Sequence, residues 1–247
     1  MTFNTAFKHL YEKKLKPYGF QKVKGKRPYF IRMIGDEIFH MITYRNCWSE
    51  RPYKEFQIIW GVGTVYREKI DLDVLPYKTL MWAKSAGLYM YRDLSLIIPG
   101  KPYEIGKNDV DMETELDYSM EEVKKEVLPR LERAVTLERC YEYLDTYLFD
   151  EENFDGDFRG HNEGLINYIL FDPKIYEEVR GKHMEDLQRE RNRRLVMEML
   201  ELRSMDNQPA IFKKYLEGEE NYRLIVETLK RRKRENHERL RSHGIVF

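Results

Sequence analysis

Cysteine is scarce in this chain. Only Cys47 and Cys140 occur among 247 residues, far apart in sequence. Two cysteines build neither a disulfide framework nor a zinc knuckle in a chain of this length, so reduced, partly buried thiols are expected. Net charge is missing as well. Lys plus Arg number 43 against 43 Asp plus Glu, a formal net charge of +0, which implies no whole-molecule attraction to nucleic acid or to a membrane. No run approaches the ~20 apolar residues of a membrane span. The opening Met1-Thr2-Phe3-Asn4-Thr5 leads straight into a charged helix, without the basic, apolar and cleavage regions of a secretory signal. The expectation is a soluble cytoplasmic protein with no membrane partner.

Recognisable catalytic chemistry is also lacking. Cys47 stands beside Trp48 with no histidine near it in sequence except His40, which lies in a strand. No serine sits in a nucleophile elbow. Asp71/Asp73 and Asp109/Asp111 read as surface charge. No catalytic residue, cofactor or metal is assigned, and an enzyme is the disfavoured class.

What is present is a folded composition, 42% hydrophobic and 13% aromatic, long enough to bury a substantial core. Phe3, Phe7, Leu10, Tyr11 and Leu15 fall at helical spacing between Thr5 and Lys16. Pro17 stops that helix and Gly19 permits the turn. Tyr29–Ile34 and Glu37–Arg45 read as two strands joined at Gly35-Asp36. Asn46–Lys54 reads as a loop and Glu55–Tyr66 as the longest strand. Alternation in these strands leaves no cleanly polar face, so both sides of the sheet need cover. The N-terminal helix can cover one face; the helical remainder is the candidate for the other.

Residues 67–118 carry weaker signals. Asp71–Trp82 fits a short helix or a loop, while Leu88–Tyr91, Leu94–Ile98 and Tyr103–Ile105 look extended. Ser119-Met120-Glu121-Glu122 has the pattern of a capping box and predicts a helix start there. A further helix is predicted after Thr136. Phe149–Glu163 is a loop rich in Asp, Gly and Asn and marks the best domain boundary. Asp172-Pro173 reads as an N-cap followed by proline at the first helical position. His183–Ser204, Pro209–Leu216 and Asn221–Ser242 are helical by periodicity. The fold class is therefore α+β: an N-terminal helix on an antiparallel sheet of about four or five strands, followed by a mostly helical C-terminal half. Residues 1–149 form the α+β domain, and 150–247 a helical region that packs on it or extends from it.

The first half resembles the bacterial domain-of-unknown-function 4304 family. The matching residues are Leu15-Lys16-Pro17-Tyr18-Gly19-Phe20, Tyr29-Phe30-Ile31-Arg32, Ile38-Phe39-His40-Met41-Ile42 and Trp60-Gly61-Val62-Gly63, with Val127-Leu128-Pro129 beyond them. The resemblance covers about residues 5–148 and implies a bacterial α+β protein with no activity to carry over.

Three stretches are weighed for function. Gly61-Val62-Gly63 clears one face of a strand, so Trp60, Gly61 and Gly63 are candidates for a ligand pocket between sheet and helices; close packing is the plainer reading. Glu151, Asn153, Asp155 and Gly156 follow a calcium-loop rhythm that fails at Asn162, and the nearby His161 has no second histidine. Arg231, Arg232 and Lys233 lie in the basic run Lys230–Arg234, within a C-terminal stretch (180–247) of 17 basic and 12 acidic residues. They are candidates for weak nucleic-acid contact, although consecutive cations surround a helix instead of striping it. The leading expectation is a non-catalytic cytoplasmic protein that binds another protein or itself, an immunity-like role against a toxin being one version. A small-ligand protein or enzyme is the alternative.

Overall fold

The computed structural model describes residues 2–47, 53–73, 80, 82–92, 112–140, 170, 172–187, 189–193 and 219–247. Two compact units divide the chain. The first holds Met1–Gly63, Asp71–Asp150 and Ser242–Phe247; the second holds Thr64–Ile70 and Glu151–Arg241.

In the first unit, helix α1 (Phe3–Leu15) starts at Thr2, whose hydroxyl accepts from the Thr5 amide. Its buried stripe is Phe3, Ala6, Phe7, Tyr11 and Leu15. Lys13 and Lys14 favour the negative end of the helix dipole. The helix tightens into a 3₁₀ turn (Lys16–Tyr18) at Pro17 and ends on Gly19 at φ 80°. Five strands follow: β1 (Gln21–Lys22), β2 (Phe30–Ile34), β3 (Ile38–Cys47), β4 (Tyr53–Thr64) and β5 (Trp82–Arg92). They form one antiparallel sheet in the order β1-β2-β3-β4-β5. This is the α+β architecture expected. The segment Asp71–Asp73 is bent rather than helical, and β5 begins at Trp82, ahead of the extended signal at Leu88.

One sheet face meets α1 through aromatic rings. Phe3 packs on Tyr44 and Phe56 at 4.9 and 4.7 Å, and Phe7 packs on Phe30 and Tyr44 at 6.0 and 4.6 Å. Each such side chain contributes roughly 1.5–3 kcal/mol on burial. Helix α2 (Met112–Glu122), a π-helical turn (Val123–Val127) and α3 (Leu128–Leu131) come to the same face. Their buried stripe is Leu116, Met120, Val123, Val127 and Leu131. These helices therefore share the side of α1 instead of covering the other. The opposite face is buried nonetheless, as Ile31, Phe39, Met41, Thr43 and Ile59 show.

The π turn has a local cause. Pro129 has no N–H, and its ring would crowd the carbonyl four residues back in a regular helix. The wider turn absorbs this, and the Leu128 N–H bonds to the Val123 carbonyl, five residues back. The helix start predicted at Ser119 is corrected. The helix begins at Met112, and Ser119 lies inside it. Its hydroxyl donates to the Leu116 carbonyl at 2.8 Å and accepts from the buried Tyr11 phenol at 2.7 Å. Thr136 does cap the next helical residues, 137–140, accepting from the Arg139 amide.

In the second unit, α4 (Pro173–Arg180) has the expected cap. The Asp172 carboxylate accepts from the amides of Lys174 and Ile175, Pro173 opens the helix and Gly181 closes it. Helix α5 (Glu219–Ser242) buries Ile225, Val226, Leu229 and Asn236. Asn236 is fully buried yet fully bonded. Its amide nitrogen donates to the carbonyls of Val65 and Arg67 at 2.9 and 2.8 Å. Its oxygen accepts from the Ile70 amide and from Arg239, both at 2.9 Å. Three of these four bonds pin segment 64–70, and the fourth comes from Arg239 on the same helix.

Candidate functional site

The β4–β5 pairing slips at one point. Phe56 faces Tyr89 and Ile58 faces Ala86, so the residues between them on β5 form a bulge. Gly87 takes φ 57° there. A Cβ on Gly87 would also meet the Tyr89 ring at 2.5 Å, so both backbone and space require glycine. The bulge aims the Tyr89 ring at α2. Its phenol donates to the Glu122 carboxylate at 2.5 Å, and its ring meets that of Tyr118 edge-on at 6.1 Å. Burial, followed by the Glu122 bond and charge, holds the Tyr89 phenol protonated far above its ordinary range.

Between β5 and these helices lies an open groove of about 550 Å³. Its walls include Ser85 and Ala86 from the strand, Tyr118 and Glu122 from α2, and Lys125 and Arg130 beyond it. The helix wall runs through the π turn, so its distortion shapes the groove. Tyr118 is 63% exposed at this site.

A second polar cluster is closed. His40 is fully buried beside Arg32, its β2 pairing partner. Its Nδ1 is 2.9 Å from Arg32 Nη2, and its Nε2 is 2.8 Å from the Ala134 carbonyl. Guanidinium only donates, so Nδ1 accepts and Nε2 carries the proton. Burial lowers the His40 pKa to about 4, with Arg32 pushing the same way against the Ala134 bond and Glu132. Arg32 also donates to Glu132 at 2.5 Å and to the Tyr18 carbonyl at 3.2 Å. The cluster ties α3's C-terminal end to the sheet.

Among the residues singled out by sequence, Trp60 and Gly63 are buried in β4. The clearing above Gly63 is taken by Phe39 of β3, whose ring would lie 2.1 Å from an added Cβ. Gly61 pairs with Ala83 and Trp60 with Lys84. None of the three lines the groove, which sits one strand outward: its Ser85 and Ala86 pair with Ile59 and Ile58. The basic residues of α5 have contacts inside the second unit. Arg231 pairs with Glu235 at 3.1 Å, Arg232 approaches the Tyr66 carbonyl at 3.5 Å, and Lys233 lies 5.9 Å from the Tyr66 ring. Burial pushes the Cys140 thiol up to about 12 and raises that of Cys47. The loop Glu151–Glu163, and the extended segments Leu94–Ile98 and Tyr103–Ile105, lie outside the described residues. Among the described residues no group of three His, Cys, Asp or Glu is arranged to hold a metal ion.

The fold and groove define an α+β protein with helices on an antiparallel sheet. No family model, curated protein or solved structure matches the chain.

Proposed function

We propose that this chain is a non-catalytic binding protein and that its partner, another protein, engages the β5–α2 groove. The observation that carries this reading is Tyr118: a large aromatic side chain, mostly exposed, yet held in place by its edge contact with buried Tyr89. Aromatic anchors of this kind dominate protein interfaces. A cytoplasmic setting belongs to the same proposal and rests on the two free thiols. Kinship with the bacterial domain-of-unknown-function 4304 family belongs to it too, resting on the residues quoted for it above. Among the described residues no helix is long and apolar enough to cross a membrane.

The test is affinity capture with the wild-type chain, Tyr118→Ala and a control at exposed Lys13. A stoichiometric protein retained by wild type and Lys13→Ala but lost with Tyr118→Ala is expected. No such protein, or one indifferent to Tyr118, counts against the reading. A small ligand in the same groove is the second reading, favoured by the convergence of Tyr89 and Glu122. Weak nucleic-acid contact through Arg231, Arg232 and Lys233 is a third; unchanged affinity after reversing those charges removes it.

A further inference from the structure

The charges lining the groove do not cancel evenly. Glu121 meets Lys124 at 2.6 Å and Lys14 at 3.9 Å. Glu126 meets Arg130 at 3.4 Å and Lys125 at 3.9 Å. Glu122 differs. It accepts the Tyr89 phenol, and no cation lies within ion-pair distance of it among the described residues. A phenol fixes a carboxylate in place without neutralising it, and one such bond leaves most of its acceptor capacity unused.

Tyr118 stands four residues before Glu122, so the two project from the same strip of α2. Both are positioned by one buried side chain: Tyr89 bonds the carboxylate and packs against the ring. An aromatic face beside an oriented carboxylate, in a groove open to solvent, suits a cationic side chain. The ring quadrupole attracts the charge and the carboxylate accepts its N–H groups.

We infer that the groove recognises an arginine or lysine side chain of the protein partner, held between the Glu122 carboxylate and the Tyr118 ring. This rests on the protein-binding reading and names the chemistry that the partner must present. Tyr89 is the positioning residue.

The test titrates the full-length protein with N-acetyl-arginine amide and with its neutral counterpart N-acetyl-citrulline amide, following NMR shifts at residues 85–89 and 118–126. Saturable millimolar binding of the arginine probe is expected, at least tenfold tighter than the citrulline probe and weakened by salt. Glu122→Gln keeps an acceptor for Tyr89 and leaves the Tyr118 ring in place; it should weaken the arginine probe about tenfold through loss of the negative charge alone. Tyr118→Ala, at an exposed position, should weaken it as well. Equal binding of citrulline, indifference to Glu122→Gln, or no saturable shift at tens of millimolar overturns the inference. If the probe fails while a partner is still captured through Tyr118, cation recognition falls and protein binding stands. If the probe binds through Glu122 but no partner is captured, the protein-binding reading falls instead.

Discussion

The imidazole Nδ1 of His40 lies 2.9 Å from Nη2 of Arg32, a neutral histidine accepting from a permanent cation inside the fold. Burial lowers the folded side chain's pKa from its ordinary 6.5 to about 4. Between those values the unfolded chain takes up a proton that the native state refuses. The stabilisation is therefore complete above pH 6.5, is lost as pH falls toward 4, and then levels off. The shift corresponds to roughly 3 kcal/mol. Urea midpoints at neutral and acid pH should show this slope in wild type and a shallower one in His40→Gln, whose amide can still bridge Arg32 and Ala134.

Gly63→Ala should destabilise by about 1–3 kcal/mol, because its new methyl group collides with the Phe39 ring. Shortening that ring in Gly63→Ala/Phe39→Leu should recover part of the loss. Thermal denaturation of the two single variants and the double variant measures the coupling; strict additivity would show that Phe39 is not what excludes the methyl.

Ser119→Ala should cost about 1–3 kcal/mol by leaving the Tyr11 phenol buried without its acceptor. Removing both groups, with Tyr11→Phe added, should cost less than the sum of the single changes. A double-mutant cycle from denaturant unfolding reads this directly.

Asn236→Ala should cost roughly 3 kcal/mol, since it removes at once three hydrogen bonds, to the carbonyls of Val65 and Arg67 and from the amide of Ile70. Asn236→Asp keeps the acceptors but turns carboxylate oxygens toward two carbonyls, and should be no better. Hydrogen exchange at the Ile70 amide should accelerate in both variants; unchanged protection would mean that the segment is held by something else.

Legibility followed the range of the interactions. Helix α1, the β2–β3 hairpin and the Asp172-Pro173 start of α4 were readable because caps, turn residues and periodicity are local. The start of β5 was not. Ala83, Lys84, Ser85, Ala86 and Gly87 have little intrinsic strand preference, and pairing with β4 makes them a strand. Ser119 carried a valid capping pattern, but a phenol 108 residues away takes its hydroxyl. The groove was not visible in the sequence: the helix start expected at Ser119 left Tyr118 outside the helix, and Tyr89 joins Tyr118 and Glu122 only through the bulge at Gly87. The Gly63 clearing was readable as a gap, and its occupant only from the strand order that puts β3 beside β4.

The Asn236 clamp also sets an order of events during synthesis. Its partners in segment 64–70 precede it by 166 to 171 residues. At ~5–20 residues per second, these groups wait on the order of 10–30 s for the Asn236 amide. Segment 64–70 therefore matures late on the ribosome, after the strands before it have been free to pair. A translational pause before α5 would lengthen the interval in which a chaperone or protease can reach it.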